Sequence, residues 1–97
     1  KYKYVGGVNI GDEINLPEKW ECIIAITTNT AGRPPLEMIV PYNYVEYETK
    51  GISNGYYHSS TYYGYARITC SASKIIFNEC THCEQTPSDA RLFVYYR

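Results

Sequence analysis

Alternating apolar and polar residues divide most of the chain into short strands. The clearest example begins at Tyr62, where alternate positions lead to the small apolar residues Ala66, Ile68 and Cys70. A repeat of two places successive side chains on opposite faces of a sheet, so this strand is expected to present an apolar face to a core. The same pattern predicts strands at Tyr2–Val8, Ile14–Leu16, Trp20–Thr28, Leu36–Val40, Tyr56–His58, Tyr62–Ser71, Lys74–Asn78 and Arg91–Arg97.

The strand predicted at Trp20–Thr28 is apolar on both faces. Ile24 and Ile26 share one face, and Ile23 and Ala25 share the other. Two apolar faces are typical of a strand in the middle of a sheet that is covered on both sides. We therefore expect this strand to be central and buried on both faces.

The segments between the strands carry turn and loop signals. Asn54–Gly55 is a dipeptide that strongly favours a tight turn, and Pro41 is expected to end its strand or to mark a sheet edge. Tyr42–Lys50 is predicted as a bulged strand or an extended crossing loop, and Cys80–Ala90 as a long loop. Seven or eight short strands separated by turns favour a single all-β domain over residues 1–97, an antiparallel β-sandwich or a small barrel.

Composition supports this fold class and argues against some partners. The 97 residues suffice for one domain with one core, and 12 of them are tyrosine, which favours strands and wet interfaces. The formal net charge is -1 and the basic residues form no run, so no nucleic-acid partner is expected. No apolar stretch approaches the roughly 20 residues of a membrane helix, so no membrane insertion is expected.

Cys80 and Cys83 form a C-x-x-C motif that encloses His82. The motif supplies two of the four ligands of a tetrahedral zinc site, and His82 could add a third. Cys22 and Cys70 occupy inward positions of predicted strands and are expected in the core, so the motif makes only a weak metal site; neither a metal nor a cofactor is expected. A Cys80–Cys83 disulfide, a Cys22–Cys70 disulfide and free thiols all remain open, and mostly free thiols are favoured.

No arrangement of residues along the sequence indicates catalysis. His58, Asp89 and either Ser59 or Ser60 have the residue types of a hydrolytic triad, but no Gly-x-Ser-x-Gly elbow accompanies either serine. Gly6–Gly7 is a lone doublet rather than a phosphate-binding loop. We therefore expect a protein that is not an enzyme.

A cluster of tyrosines is the strongest candidate for a binding surface. Six residues fall within ten positions: Tyr56, Tyr57, His58, Tyr62, Tyr63 and Tyr65. Their rings could contact a sugar or a peptide, and their polar atoms could form hydrogen bonds with it. The same residues are equally suited to the protein's own core or to a subunit interface, where tyrosine is enriched. The sequence leaves these three interpretations open.

The order of elements and several short motifs resemble a known class of domain. The motifs are Gly6–Gly7, Ile14-Asn15-Leu16-Pro17, Trp20 before an apolar strand, Val40–Pro41, Gly55-Tyr56-Tyr57 and the final Val94-Tyr95-Tyr96-Arg97. Together they resemble small C-terminal domains of tail-fibre and baseplate proteins from phages and prophages of gut Firmicutes. The Cys80–Cys83 segment departs from that pattern.

The resemblance implies a non-enzymatic β-sandwich at the tip of a tail fibre or baseplate. Such a receptor-binding domain is expected to form a homo-trimer and to bind a host cell-surface glycan. It is expected to belong to the virion, which is extracellular after its release from the cell. The alternative is a structural virion subunit, such as a capsid decoration or tail-associated protein, whose tyrosines form subunit interfaces. A secreted carbohydrate-binding domain unrelated to phages is a third hypothesis.

Overall fold

The computed structural model describes residues 1–27, 36–45, 50–59, 62–82 and 90–97, and the side chains of these residues except 44–45, 50–59, 62–64 and 82. Eight strands and one helical turn follow each other in these ranges. They are β1 (Lys3–Asn9), β2 (Glu13–Asn15), β3 (Cys22–Thr27), β4 (Glu37–Pro41), α1 (Tyr42–Val45), β5 (Lys50–Ser59), β6 (Tyr62–Cys70), β7 (Lys74–His82) and β8 (Arg91–Tyr96). Within the described ranges, no helix is long and apolar enough to span a membrane.

The strands form two four-stranded antiparallel sheets. Sheet A has the order β1-β8-β3-β4, and sheet B has the order β2-β7-β6-β5. The chain crosses between the sheets from β1 to β2, from β2 to β3, from β4 to β5 and from β7 to β8. The first two strands pair with the last two, β1 with β8 and β2 with β7. The predicted all-β antiparallel sandwich is confirmed.

Most residues of the core alternate along the strands and point between the sheets. Its buried members are Val8, Trp20, Ile23, Ala25, Leu36, Met38, Val40, Ala66, Ile68, Cys70, Ile75, Phe77, Cys80, Ala90, Leu92 and Val94. In β6 the buried positions include Ala66, Ile68 and Cys70, the three that alternation predicted. The apolar face predicted for this strand is therefore the inner face of sheet B.

β3 is an interior strand, but only one of its faces is covered by the other sheet. Ile23 and Ala25 are fully buried between the sheets, whereas Ile24 and Ile26 are half-buried and lie outside the core cluster. The prediction that β3 is buried on both sides is therefore wrong, because a two-layered sandwich offers each sheet a single interior face. The second apolar face of β3 belongs to the outer surface of sheet A.

Two of the predicted connections are regular structure instead. Tyr42–Val45 is one turn of helix that follows Pro41 at the end of edge strand β4. Asn54–Gly55 is not a turn: it lies inside β5, where Asn54 pairs with Ala66 and Gly55 with Tyr65. Nine residues of β5 pair with residues of β6, and this pairing outweighs the local turn preference of the dipeptide.

The seventh strand is longer than its sequence pattern predicted. β7 runs to His82, so Cys80 and His82 lie in a strand rather than in the long loop expected from Cys80 onward. Pairing with β6 continues to this point, with Cys80 opposite Ala66 and His82 opposite Gly64. The extension brings the C-terminal end of β7 beside the tyrosine-rich N-terminal end of β6.

Candidate binding surfaces

The predicted tyrosine cluster lies on one hairpin at an edge of sheet B. Tyr56, Tyr57 and His58 belong to edge strand β5, and Tyr62, Tyr63 and Tyr65 belong to β6. Tyr57 lies directly opposite Tyr63, and Tyr62 lies opposite Ser59 beyond a register shift that contains His58. The backbone therefore brings together all six positions, while of their side chains only that of Tyr65 is among those described.

Tyr65 belongs to a polar network on the outer face of sheet B. Its hydroxyl donates a hydrogen bond of 2.9 Å to Oε2 of Glu79. The other carboxylate oxygen, Oε1, lies 3.1 Å from Nε of Arg67. Because Arg67 and Glu79 are directly opposite each other in the β6–β7 ladder, the register itself fixes this arrangement. The three side chains present an aromatic ring, an anion and a cation side by side.

The hydrogen bond to Glu79 makes the Tyr65 phenol harder to ionise. A carboxylate accepts from a phenol and repels a phenolate, so the pKa of Tyr65 is raised above 10.0, first by this bond and then by burial. Thr81, opposite Tyr65, acts against that shift. The Thr81 Oγ1 atom is buried, and no group in the described part of the chain meets hydrogen-bond geometry with it.

Polar contacts continue along this face toward the other end of sheet B. Thr69 Oγ1 donates to Asn78 Oδ1 at 2.7 Å, and Lys74 Nζ lies 3.4 Å from Glu13 Oε1. Exposed ion pairs of this kind contribute little to stability, so the face is free to exchange these contacts for those of a ligand. The described part of the outer face of sheet B is thus rich in hydrogen-bonding groups.

The outer face of sheet A has the opposite character. Two adjacent rows cross its strands in the order β1, β8, β3 and β4: Tyr4, Tyr95, Ile24 and Ile39, and beside them Gly7, Phe93, Ile26 and Glu37. Tyr4 and Ile39, at the two ends of the first row, are 57% and 58% exposed. These two rows, with Tyr2, Arg97, Cys22 and Pro41, are called the sheet A face below.

Aromatic contacts order the half of the sheet A face that is formed by β1 and β8. The rings of Tyr4 and Tyr95 are 5.3 Å apart, and the guanidinium of Arg97 lies 5.5 Å from the ring centre of Tyr2. A hydrogen bond to Cys22 raises the pKa of Tyr2 above its usual value. Sequence analysis missed this face, although the apolar second face of β3 was its signal.

The cysteines do not assemble into the proposed motif. Cys22, Cys70 and Cys80 are free and buried, so neither the Cys22–Cys70 nor the Cys80–Cys83 disulfide forms, and the expectation of mostly free thiols is confirmed for these three. Burial raises the pKa of Cys70 to about 12 and also raises that of Cys80. Cys22 is buried as predicted, 7% exposed, but it lies outside the cluster between the sheets, because its neighbour Ile23 takes the inward position.

The weak metal site is not supported at Cys80, whose thiol packs in the core, 1% exposed. The His82 side chain and Cys83 lie outside the described residues, as does Asp89. Among the residues that the structure describes, no group of three or more His, Cys, Asp or Glu side chains could hold a metal ion. No protein-family model, curated protein or solved structure significantly matches this chain.

Proposed function

We propose that this protein is a non-enzymatic virion module that binds a host cell-surface glycan through the outer face of sheet B. The observation that carries the proposal is the Tyr65–Glu79–Arg67 network beside the tyrosine-rich end of the β5–β6 hairpin. The resemblance to phage tail and baseplate domains supports the virion setting. In this proposal the protein attaches the virion to the host cell surface and catalyses no reaction.

Sugars fit this surface because they present both apolar ring faces and dense hydroxyl groups. The tyrosine rings of the hairpin would pack against the faces of sugar rings. Glu79 offers two acceptor oxygens, and Arg67 offers several donors, for hydroxyls that replace part of the present network. Charged groups form stronger hydrogen bonds than neutral ones, so these two side chains would set the orientation of the sugar.

An open sheet face buries only part of a sugar, so each site is expected to bind weakly. Weak contacts suffice when several copies of a module meet a surface that repeats its ligand, because later binding events become intramolecular. A phage particle and a bacterial cell wall are such a pair of repeating surfaces. The proposed adhesion therefore depends on copy number as well as on the site.

The proposal is tested by calorimetric titration with short fragments of cell-wall and capsular polysaccharides purified from gut Firmicutes. The Tyr57→Ala/Tyr63→Ala double variant is expected to bind a responding fragment at least about tenfold more weakly, because both substitutions remove rings from one register pair. Tyr4→Ala is the matched control, since it removes an exposed ring from the opposite sheet. Equal weakening by the control, or no binding of any fragment by the unmodified protein, would overturn the proposal.

The second candidate function is a structural virion subunit, and the sheet A face favours it. A contiguous apolar surface with exposed aromatic residues is typical of a contact between proteins. In that role the tyrosines would serve as subunit contacts without any sugar ligand. Binding of polysaccharide at the β5–β6 hairpin distinguishes the two functions.

A further inference from the structure

The sheet A face is divided into an aromatic half and an aliphatic half. Strands β1 and β8 contribute the rings, which are those of Tyr2, Tyr4, Phe93 and Tyr95. Strands β3 and β4 contribute Ile24, Ile26, Ile39 and Pro41, with Cys22 and Glu37 beside them. Because the halves lie side by side along the same rows, a rotation by half a turn about an axis parallel to the strands exchanges them.

We propose that this face packs against the same face of a second copy of the chain, related by such a two-fold axis. Each row then meets the same row with its strand order reversed. Tyr4 lies against Ile39 of the second copy, Tyr95 against Ile24 and Phe93 against Ile26, with each contact made twice. Two apolar sheet faces packed about 10 Å apart in nearly aligned directions are the usual geometry of sheet-on-sheet packing.

The exposures agree with this pairing. Tyr4 and Ile39 are the two most exposed large hydrophobic residues in the described part of the chain, and they occupy opposite ends of one row. The two-fold arrangement covers each of them with the other. Pairing the faces about an axis perpendicular to the strands would instead set Arg91 near Arg97, which places like charges together.

The face also has the anatomy of an interface. Its centre is apolar, and arginines stand at both ends of β8, where Arg91 packs on Phe93 at 5.7 Å and Arg97 packs on Tyr2. Interfaces are enriched in tyrosine and arginine and have polar rims around an apolar centre. Pairing through sheet A leaves the outer face of sheet B exposed on both copies.

The size of the face predicts a pair that dissociates on dilution. Four strands about 4.8 Å apart and three rows about 6.7 Å apart give a footprint of roughly 400 Å² per copy, or about 800 Å² for the pair. That area falls below the range of stable interfaces and within that of weak, transient ones. The pair is therefore expected to form at high local concentration, such as that on an assembled particle.

Sedimentation equilibrium from roughly 10 µM to 1 mM measures the association. The weight-average mass is expected to rise from 11.2 kDa toward twice that value. Ile39→Glu should weaken the association at least about tenfold, because it buries a charge without a partner, while its exposure leaves folding intact. Ser73→Glu, at an exposed turn position of sheet B, adds the same charge elsewhere and should change nothing.

Disulfide trapping tests the symmetry itself. In a Cys83→Ser background, the Tyr4→Cys/Ile39→Cys double variant should oxidise to a covalent dimer, whereas each single variant should not. The two positions of one chain are three strand spacings, or about 14 Å, apart, which is too far for an internal bridge. A covalent trimer, a monomeric mass at every concentration, or equal trapping of the single variants would overturn the proposal. Because these tests contain no glycan, their failure leaves the proposed sugar site standing.

Discussion

The indole Nε1 of Trp20 donates a hydrogen bond of 2.9 Å to the carbonyl oxygen of Ala72, 52 positions later in the chain. Trp20 precedes β3 of sheet A, and Ala72 lies in the turn between β6 and β7 of sheet B. The ring is 6% exposed and meets the ring of Tyr42 edge-on at 4.8 Å. One side chain thus joins the two sheets at one end of the sandwich.

Two substitutions of Trp20 are expected to destabilise the protein to different degrees. Trp20→Phe keeps an aromatic ring but leaves the Ala72 carbonyl without its indole donor, at a cost of about 1–2 kcal/mol. Trp20→Ala also leaves a cavity and should cost about 3–5 kcal/mol. Urea unfolding measures both values. Tyr42→Phe, which keeps its ring, should change stability little; equal losses in all three variants would contradict the account.

Gly11 is required in the turn between β1 and β2. Its φ of 91° lies in the left-handed region, and its N–H donates to the carbonyl oxygen of Phe77 at 2.7 Å. Gly11→Ala should reduce the free energy of unfolding by about 1 kcal/mol through backbone strain alone, since a Cβ there would meet open space. Gly11→Asn should lose less, because asparagine tolerates this conformation. An unchanged urea midpoint for Gly11→Ala would contradict the prediction.

Tyr65 should titrate above 10.0, the ordinary pKa of a tyrosine. Its pKa is raised mainly by the bond to Glu79, so the folded state holds this proton more tightly than the unfolded state. The resulting stabilisation is complete below about pH 10 and is lost as the pH rises through the folded pKa. NMR of ¹³C-labelled tyrosine, assigned with Tyr65→Phe, follows the ionisation.

Glu79→Gln is the matched control for this titration. It removes the carboxylate charge and should lower the Tyr65 pKa toward 10.0. A Tyr65 phenol that ionises at the same pH in both proteins would show that Glu79 does not govern it. The network beside the proposed sugar site would then need another explanation.

The Cys70 thiol makes stability fall at alkaline pH. Burial raises its pKa from 9.0 to about 12, so the unfolded chain loses this proton near pH 9 while the folded chain retains it. The stabilisation is therefore complete below pH 9 and declines by up to about 1 kcal/mol per pH unit above it. Urea unfolding measures the loss in free energy of unfolding between pH 8 and pH 10. This loss should be smaller for Cys70→Ala than for the unmodified protein; an equal loss in both proteins would contradict the assignment.

Much of the fold follows from strand periodicity, and the exceptions have specific causes. Alternation located the inner face of β6 because Ala66, Ile68 and Cys70 pack against the opposite sheet. It failed at Asn54–Gly55, where ladder pairing outweighs a local turn preference. Tyr42–Val45, a helical turn against Trp20, had no strand-like or helical period to reveal it.

The candidate surfaces were predictable only in part. Sequence proximity identified the β5–β6 hairpin, but the partners Glu79 and Arg67 of Tyr65 depend on the register between β6 and β7. The sheet A face joins residues that are far apart in the sequence, such as Tyr4 and Tyr95, which are separated by 91 positions. No local pattern brings such residues together, since the pairing arises only when the last strand inserts between β1 and β3.

The two outer faces of the sandwich are proposed to have separate roles. Backbone amide shifts of ¹⁵N-labelled protein test this proposal most directly, recorded once with added cell-wall polysaccharide fragments and once over a dilution series. We expect the polysaccharide to shift the amide signals of β5, β6 and β7, and dilution to shift those of β1, β8, β3 and β4. Polysaccharide-induced shifts centred on the sheet A face, or dilution shifts centred on the β5–β6 hairpin, would contradict it.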